Sequence, residues 1–562
     1  MDDPTLGLDD EPVEVVLSQV DGGKPKIEYL NPNDDILDLV FNIESKEAEK
    51  QAIKPKISMW TDKSHLDVHT KAGLAALGLW NRPPKIFQMG GNMIIIKQDS
   101  EDIYKIDKIN NHLLKGYLAE AAIWSYVEMV NGLMVSCDVY PPNEIVNLSL
   151  KYTENWKDIP FLKGLTATPI PRLDGTINRE YGYDSETGYY FTPGLDLPEI
   201  LEKPTKEDAI KAANYLLTEL FSDFPLKDDA SKANMLAGLV SPILRPICGK
   251  TPLFILTKPI AGEGSSLLVD IIGLVCTGIE AYTQDANVDN GTEWRKIITS
   301  MLRAGTAIAK LDNLNQYTTF NSSVWAAFLM GDRWRDRILK ESTMTDLYNT
   351  LCTYLTGRNV RIGGDLPRRS VLIEMFAIDP ELIKHPEQRH FRHKDIKTWI
   401  LENRGDLVAA IFTMIRAWSL AGKPSSNTPI MGMYEPWCEI VGGILNFAEV
   451  KGFLGNRDKI YAEMDTETDA WLDFVQKWHS IKGNDKLTAK QILTLIIASN
   501  NGLKDLIPPE LEDAVKNNSS KSLGRLLSAQ RNVPFKNYAI RVEIDPHHND
   551  PTTYWIEEGD IV

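Results

Sequence analysis

The chain has 562 residues, which is too long for one compact core and predicts several domains. Its hydrophobic content of 43% and charged content of 25% exclude collagen-like, low-complexity and largely disordered classes. No apolar run is long enough to cross a bilayer, and the acidic start lacks a secretory-signal pattern. We therefore expect a cytoplasmic protein without a membrane partner, whose five separated cysteines are reduced thiols.

The net charge of −17 is unevenly distributed along the chain. Residues 1–50 hold 14 acidic residues and 4 lysines, so they carry −10 and leave −7 for the rest. Ala514–Arg541, by contrast, contains six basic residues and no acidic one. Because a phosphate backbone responds to local charge, the acidic total does not exclude a nucleic-acid partner.

The first 205 residues predict an acidic leader over 1–55 and an N-terminal α+β domain over 56–205. The segments predicted there are strand character at Val13–Val20, a strand at Met93–Lys97, a helix at Tyr117–Val130, and turns and hairpins over Gly164–Pro193. Thr205 and Asp208 form a capping-box pattern that predicts a helix from residue 206. The following helical stretch, to residue 250, is interrupted at Asp223-Phe-Pro.

Residues 250–378 alternate short apolar strands with helices, which predicts an α/β fold with a largely parallel sheet covered by helices. The predicted strands are Leu253–Thr257, Ala281–Thr283, Ala307–Leu311, Thr353–Leu355 and Ser370–Phe376, and the predicted helices are Ser266–Val275, Glu293–Arg303 and Val324–Leu329. We assign 206–395 to this core and its preceding helical segment.

The rest of the chain predicts a helical lid over 396–483 and a separate domain over 484–562. The elements predicted in the latter are helices at Leu487–Ala498, Glu510–Lys516 and Ser519–Arg531 and strands at Tyr538–Ile544 and Thr553–Glu557. Three helices and a hairpin are the layout of a winged helix, whose third helix can enter a major groove. Lys521, Arg525 and Arg531 have helical spacing for DNA contact, although such domains also serve as protein-contact modules.

A glycine-rich turn between a strand and a helix, Lys258-Pro-Ile-Ala-Gly262-Glu263-Gly264-Ser265-Ser266-Leu267, is suited to polyphosphate binding. Ser266 stands where a Walker A Ser/Thr holds Mg²⁺, but Ser265 occupies the lysine position. Lys258 is the nearest cation in sequence that could supply the missing charge. A tight turn without a ligand is the alternative interpretation of this loop.

Further polar residues follow the later strands of this region. The strand Thr306–Asp312 ends in an acid, as a Walker B strand does, and Asn313 follows where a glutamate is expected. Asn359 ends the next strand, at the position of a sensor 1 amide. Arg368 and Arg369 precede a core strand; they are either solvated surface residues or an arginine finger for a neighbouring subunit's nucleotide.

In order and spacing, these pieces resemble the AAA+ ATPases, and more closely the superfamily 3-like helicase modules of phage, plasmid and integrative-element primase–helicases. The phrases that carry the resemblance over 160–450 are Pro171-Arg-Leu-Asp-Gly-Thr-Ile, Gly182-Tyr-Asp-x-x-Thr-Gly, Asp223-Phe-Pro, Trp334-Arg-Asp-Arg-Ile-Leu, Thr356-Gly-Arg-Asn, Gly364-Asp-Leu-Pro-Arg-Arg and Glu402-Asn-Arg-Gly. The resemblance implies ATP contacts from the glycine loop, Mg²⁺ at Ser266 and Asp312, sensor 1 at Asn359, and a finger at Arg368 or Arg369. The chain departs from the pattern at Ser265, Asn313 and Arg358.

The resemblance also implies a hairpin between Walker B and sensor 1 that grips DNA in the pore of a hexamer. Here that stretch begins at Gly331, and Arg333, Arg335 and Lys340 are its candidate DNA residues, although internal ion pairs are an equal alternative. The function implied is an ATP-dependent, ring-forming helicase or translocase that acts on single-stranded or forked DNA in the replication of a mobile genetic element. We expect it near the nucleoid of a prokaryotic cell, with priming supplied by a separate primase or polymerase. The alternative is a hydrolysis-poor replication initiator or loader that binds DNA in a nucleotide-dependent way.

Overall fold

A computed structural model describes residues 54–60, 65–131, 133–260, 264–288, 290–337, 344–376, 391–425, 428–460, 466–498, 502–544 and 551–559. In the acidic segment it adds two short strands, β1 (Val13–Glu14) and β2 (Tyr29–Leu30), which pair antiparallel. Apart from residues 54 and 55, the remainder of the predicted leader lies outside the described residues. Within the described residues, no helix is long and apolar enough to span a membrane.

The N-terminal unit packs two three-stranded sheets and the intervening helices around one apolar cluster. Its elements are β3 (Lys56–Trp60), α1 (Leu66–Trp80), β4 (Ile86–Met89), β5 (Asn92–Gln98), β6 (Tyr104–Lys108), α2 (Asn111–Ala121), β7 (Ile123–Val130), β8 (Leu133–Val139) and α3 (Asn143–Lys151). β7 lies between β3 and β8, and β5 lies between β4 and β6. The predicted strand Met93–Lys97 is thus confirmed as part of β5.

The predicted helix over Tyr117–Val130 is wrong in its second half, because the helix ends at Ala121 and a strand begins at Ile123. The strand pairs parallel with β3 and antiparallel with β8, so its backbone groups find partners that only the tertiary fold supplies. Trp124 is buried and donates its indole N–H to the carbonyl of Leu118 at 2.9 Å, which fixes the sharp change of direction. Apolar spacing alone could not distinguish helix from strand here.

The Gly- and Pro-rich segment forms the predicted hairpins, as five short strands. These are β9 (Gly164–Thr166), β10 (Ile170–Pro171), β11 (Ile177–Asn178), β12 (Gly182–Asp184) and β13 (Tyr189–Phe191). Arg172 donates to the Asp184 carboxylate at 2.8 Å, and the backbone N–H of Thr187 donates to it at 3.0 Å. The Arg172 guanidinium holds the pKa of Asp184 well below its usual range. These motif residues therefore stabilise the two turns.

A five-stranded, wholly parallel sheet in the order β15-β16-β20-β14-β22 forms the centre of the molecule. Its elements and those around it are α4 (Lys206–Leu216), α5 (Asp229–Cys248), β14 (Leu253–Lys258), α6 (Ser265–Thr277), β15 (Tyr282–Asp285), α7 (Gly291–Ala304), β16 (Ile308–Leu314), β17 (Thr319–Phe320), α8 (Ser323–Met330), β18 (Arg333–Arg337), β19 (Met344–Tyr348), β20 (Cys352–Arg358), β21 (Arg361–Ile362) and β22 (Ser370–Glu374). The predicted α/β alternation is confirmed, and so is the capping box of Thr205 and Asp208 at the start of α4.

The two faces of the sheet are covered by different helices. Phe254 and Leu256 pack with α5 and α6, whereas Leu253 and Ile255 pack on the opposite face with α7 and α8. This separation follows from the alternation of side chains along a strand. It places α6, the helix that follows the glycine loop, on a defined face of the sheet.

The helices after the sheet share the apolar cluster of α5 and α6. They are α9 (Ile396–Glu402), α10 (Arg404–Leu420) and the consecutive helical segments Glu435–Trp437, Cys438–Gly442 and Gly443–Phe447. Arg404 is buried and donates to the carbonyls of Val275 (3.0 Å) and Cys276 (3.3 Å) near the end of α6. Burial lowers the pKa of Arg404 to about 10. Arg404 thus satisfies carbonyls that the helix end leaves unpaired.

The C-terminal unit has its own apolar cluster. Its elements are α11 (Thr466–Lys482), β23 (Leu487–Thr488), α12 (Ala489–Ile497), α13 (Pro509–Lys516), α14 (Ser520–Ala529), β24 (Pro534–Phe535), β25 (Tyr538–Glu543) and β26 (Thr553–Glu558). The strands form an antiparallel sheet in the order β23-β26-β25-β24. Because Trp471, Phe474 and Trp478 of α11 belong to this cluster, the expected boundary at 483/484 cuts through one packing unit.

Candidate functional site

The carboxyl ends of the parallel strands meet at one edge of the central sheet, the usual location of a ligand site in an open α/β fold. There β14 ends at Lys258, and α6 begins at Ser265 after a short loop. The loop enters the helix through Gly264 at a φ of 91°, and a Cβ at this position would lie 2.9 Å from Cε1 of Phe224. Glycine is therefore required at 264 for both backbone and space. Gly262 and Glu263 lie outside the described residues.

Three side chains from three elements converge at this edge. The Ser266 hydroxyl, on the first turn of α6, donates a hydrogen bond of 2.6 Å to Oδ1 of Asp312 on β16. Thr356 of β20 donates to the same oxygen at 2.5 Å. Ser266 and Asp312 were predicted from the sequence, whereas Thr356 was missed; its signal was a hydroxyl near the end of an otherwise apolar strand. The three side chains thus form a compact set of oxygen atoms beside the glycine loop, of the kind that ligate hard cations.

A bulge in β16 sets the direction of Asp312. Leu311 pairs with Leu355 and Leu314 pairs with Gly357, so Asp312 and Asn313 together oppose the single residue Thr356. Asn313 has a φ of 59°, and its backbone N–H donates to Oγ1 of Thr356 at 3.2 Å. Bulges commonly re-aim a side chain beside an active site. Here the extra residue turns the Asn313 side chain outward, to an exposed position.

The second serine of the loop, Ser265, has no exposed surface, and its Oγ has no hydrogen-bond partner in the described structure. It therefore brings no charge to the edge of the sheet. Leu267 is half-buried and packs against the apolar cluster of α5 and α6. Of the two residues that flank Ser266, Ser265 is enclosed and Leu267 packs α6 against the apolar cluster. The hydrogen bond to Asp312 comes from Ser266.

Two basic residues are the last residues of adjacent strands at the carboxyl edge of the sheet. Lys258, the half-buried last residue of β14, is the Cα partner of Arg358, the exposed last residue of β20. Asn359 follows with a φ of 43° and an exposed side chain, and its backbone N–H donates to the carbonyl of Lys258 at 3.0 Å. The structure therefore places the predicted residues Lys258 and Asn359 at the same edge as Asp312.

A buried ion pair lies directly beneath this edge. Lys310 of β16 donates to both carboxylate oxygens of Asp270 on α6, at 2.8 and 2.9 Å, and both side chains are at most one-tenth exposed. Asp270 is one helical turn after Ser266, and Lys310 is two residues before Asp312. The two contacts are thus successive cross-links between α6 and β16. This pair was not predicted from the sequence.

Comparison with profiles of protein families gave no match, and comparison with curated proteins gave none. Solved structures do match over most of their length. The apo C-terminal region of NrS-1 is 13% identical with a TM-score of 0.32, covering 83% of this chain and 97% of that chain. A structure titled SCCmec type IV Cch, active helicase, is 12% identical with a TM-score of 0.33, covering 83% and 93%. Likeness at this level carries no argument about the activity of this chain.

The paired arginines before β22 have different environments. Arg369 is mostly buried; its guanidinium donates to the carbonyl of Ala326 and to Asp365, the latter at 2.9 Å. Arg368 is exposed, and its side chain makes no ion pair within the described residues. Of the two predicted finger candidates, Arg368 is the one whose charge is presented to solvent.

The predicted DNA hairpin is present as the antiparallel pair β18 and β19, and its tip, with Lys340, lies outside the described residues. Arg333 and Arg335 both bond Asp346 through Nε, at 2.7 and 3.2 Å. The Arg333 guanidinium also lies 4.2 Å from the ring centroid of Tyr348. Both arginines therefore make an internal ion pair, and Arg335 is the more exposed of the two, with 72% of its side chain accessible.

The C-terminal unit contains a groove of about 540 Å³ between α12, α14 and the start of β26. Lys490, Lys521 and Arg525 line it, all exposed and without an ion pair in the described structure. Arg531 is exposed just beyond α14. Lys490 was missed because it lies outside the basic segment in sequence and reaches the groove only through the packing of α12. Of the other three bases in Ala514–Arg541, Lys516 and Arg541 are bonded to Glu512 and Glu557, and Lys536 is exposed.

Proposed function

We propose that this protein binds ATP with Mg²⁺ at the carboxyl edge of its central sheet and works as a ring-forming DNA helicase or translocase. The observation that carries the proposal is the convergence of Ser266, Asp312 and Thr356 beside the glycine loop. A hydroxyl at the start of a loop-following helix and a carboxylate at the end of a buried strand are the two protein groups that a P-loop site requires near the cation. The resemblance to AAA+ and superfamily 3-like modules agrees with this placement.

The residues present fit a magnesium ion. Mg²⁺ prefers oxygen ligands and is commonly held by one or two carboxylates together with substrate phosphates. No group of three or more His, Cys, Asp or Glu side chains able to hold a metal occurs in the described residues, so Ser266 and Asp312 would share the ion with ATP. When bound, the ion offsets negative charge on the β- and γ-phosphates. The free N–H groups at the start of α6 add positive potential for the same phosphates.

We assign further predicted residues to roles around this centre. Asn359 positions the attacking water as sensor 1, beside Asn313. Arg368 reaches the nucleotide of a neighbouring subunit, which requires an oligomer, and we propose a hexamer. Single-stranded or forked DNA passes through the pore, where Arg335 and the hairpin tip contact phosphates.

The helices α12, α13 and α14 of the C-terminal unit, followed by the antiparallel pair β25 and β26, act as a winged helix that holds duplex DNA through its groove. The biological setting that we propose is the replication of a mobile genetic element in the nucleoid region of a prokaryotic cell, with a separate primase or polymerase.

The test is ATP turnover by the purified full-length protein with and without single-stranded DNA, followed by unwinding of a forked duplex. We expect DNA-stimulated turnover and unwinding that both disappear in Asp312→Ala. Asp505→Ala, which removes an exposed acid from the C-terminal unit, is the matched control and retains both. Absence of ATP binding by the wild-type protein contradicts the proposal.

A second candidate, a slowly hydrolysing initiator or loader, is favoured by two specific departures. Ser265 offers no charge to the phosphates, and an amide at Asn313 cannot take a proton from water. This candidate predicts tight, Mg²⁺-dependent ATP binding with little turnover even when DNA is present. Nucleotide-dependent binding to duplex DNA, without unwinding of a fork, would identify it.

A further inference from the structure

We propose that Arg358 supplies, within its own subunit, the phosphate-binding charge that the glycine loop lacks at Ser265. This inference rests on the proposed function and extends it to a residue that the motif pattern does not provide. Ser265 is enclosed at the start of α6 and has no hydrogen-bond partner among the described residues. A serine at this position brings no cationic side chain to the loop. The carboxyl edge of the sheet must obtain that charge from another element.

The alternation of β20 places Arg358 on the face of the sheet that carries α6. Tyr354 packs in the cluster of α5 and α6, and its ring lies 5.1 Å from that of Phe254. Thr356 points the same way, because its hydroxyl bonds Asp312, the partner of Ser266. Arg358 is two residues further along and therefore projects to this face as well, at the edge where the loop enters α6.

Arg358 is also adjacent to the strand that feeds the loop. It is the Cα partner of Lys258, and neighbouring strands lie about 4.8 Å apart. The two cations thus stand side by side at the end of the two central strands. The backbone N–H of Asn359 donates to the carbonyl of Lys258 at 3.0 Å, which holds the ends of β14 and β20 together.

The chemistry of the guanidinium suits this task. It is always charged and presents a planar fork of N–H donors that matches phosphate oxygens in a bidentate way. Arg358 is exposed and makes no ion pair within the described residues. Its most favoured ligand is the most highly charged end of the nucleotide, which predicts discrimination of ATP from ADP.

The test measures ATP and ADP affinity of full-length Arg358→Ala, Arg358→Gln and Arg358→Lys by titration. Because hydrogen bonds to charged groups contribute strongly, we expect the first two to lose about ten- to hundredfold in ATP affinity and less in ADP affinity. Arg358→Lys keeps the charge without the fork and recovers part of the loss. Arg361→Ala, which removes an exposed arginine three residues away on β21, is the control and binds as the wild type does.

A mixing experiment tests whether Arg358 acts in its own subunit. The mixture is assayed at an ATP concentration that saturates the wild type but not Arg358→Ala. Arg358→Ala and Asp312→Ala subunits each lack part of their own site, so their mixture is expected to turn over no more ATP than the two variants do separately. Recovery of activity would overturn the assignment to the same subunit. If the wild type binds ATP and Arg358→Ala binds it with the same affinity, the inference is overturned and the proposed function is not. The same holds if Arg361→Ala loses as much ATP affinity as Arg358→Ala. No ATP binding by the wild type would instead overturn the proposed function.

Discussion

Ser266 and Asp312, 46 residues apart in sequence, are joined by a hydrogen bond of 2.6 Å at the carboxyl edge of the sheet. Such a contact brings a hydroxyl and a carboxylate to the separation at which both can ligate one small cation. It also shows that the edge is already assembled, because the bulge at Asp312 and the strained backbone of Asn313 hold the carboxylate in place.

Removal of either member of this pair is expected to abolish the dependence of nucleotide binding on magnesium. The affinity of the wild type for ATP should be at least about tenfold higher with Mg²⁺ than with a chelator, and each factor of ten is ~1.4 kcal/mol. In Asp312→Ala and Ser266→Ala the two values should converge. Titration in both buffers measures this. A magnesium effect of wild-type size in Asp312→Ala would show that the ion is held elsewhere.

How much of this site the sequence could predict depends on where the partners lie. The glycine loop, Ser266 and the acid at Asp312 follow local rules of strand, turn and helix, and the structure brings them together. The contacts of Thr356 and of the Asp270–Lys310 pair depend on which strand lies next to which, and the sheet order is not encoded in any one segment. For the same reason Ile123–Val130 was predicted as helix: its pairing partners are distant in the chain.

The ion pair of Lys310 and Asp270 yields a prediction about stability. Lys310→Met leaves a carboxylate buried without its partner, which typically costs about 3–5 kcal/mol, so the thermal midpoint should fall by several degrees. The double variant Lys310→Met/Asp270→Leu removes both charges and should recover most of the loss. Thermal unfolding followed by circular dichroism measures both. A double variant no more stable than the single one would contradict this account.

The contact of Arg172 with Asp184 predicts a dependence of stability on pH. The pKa of Asp184 is depressed in the folded state, so its contribution is fully present above the unfolded pKa of about 3.9 and is lost as the pH falls below that value. Asp184→Asn should be less stable by about 2 kcal/mol near neutral pH. The difference in thermal midpoint between the wild type and Asp184→Asn should become smaller as the pH is lowered below about 4. A deficit independent of pH would argue against the charged contact.

Because Arg368 is exposed and Arg369 is mostly buried, we expect Arg368 to affect turnover and Arg369 to affect stability. Arg368→Ala should lower turnover by as much as ~10³-fold with little change in ATP affinity or thermal midpoint, because its exposed charge acts on a neighbour's nucleotide. Mixing Arg368→Ala with Asp312→Ala subunits should restore part of the activity. Arg369→Ala, which loses its bonds to Ala326 and Asp365, should lower the thermal midpoint instead. If the mixture of Arg368→Ala and Asp312→Ala subunits recovers no turnover, Arg368 is a solvated surface residue and not an arginine finger.

The groove of the C-terminal unit is expected to set the salt dependence of duplex binding. Each phosphate neutralised contributes about −0.9 to the slope of log affinity against log salt. Replacing Lys490, Lys521 and Arg525 together should flatten that slope by up to about three units, because none of the three has an acidic partner in the described structure. Lys516→Ala/Arg541→Ala is the control: these bases are already bonded to carboxylates, so their loss should change the slope less.

Turnover of ATP without DNA should survive in the triple variant, since the groove is remote from the nucleotide edge in the sequence and has its own apolar cluster. Fluorescence anisotropy of a labelled duplex at several salt concentrations gives the slopes. An unchanged slope in the triple variant would make the groove a protein-contact surface. Binding of DNA would then depend on the hairpin of β18 and β19, where Arg335 is exposed beside Asp346.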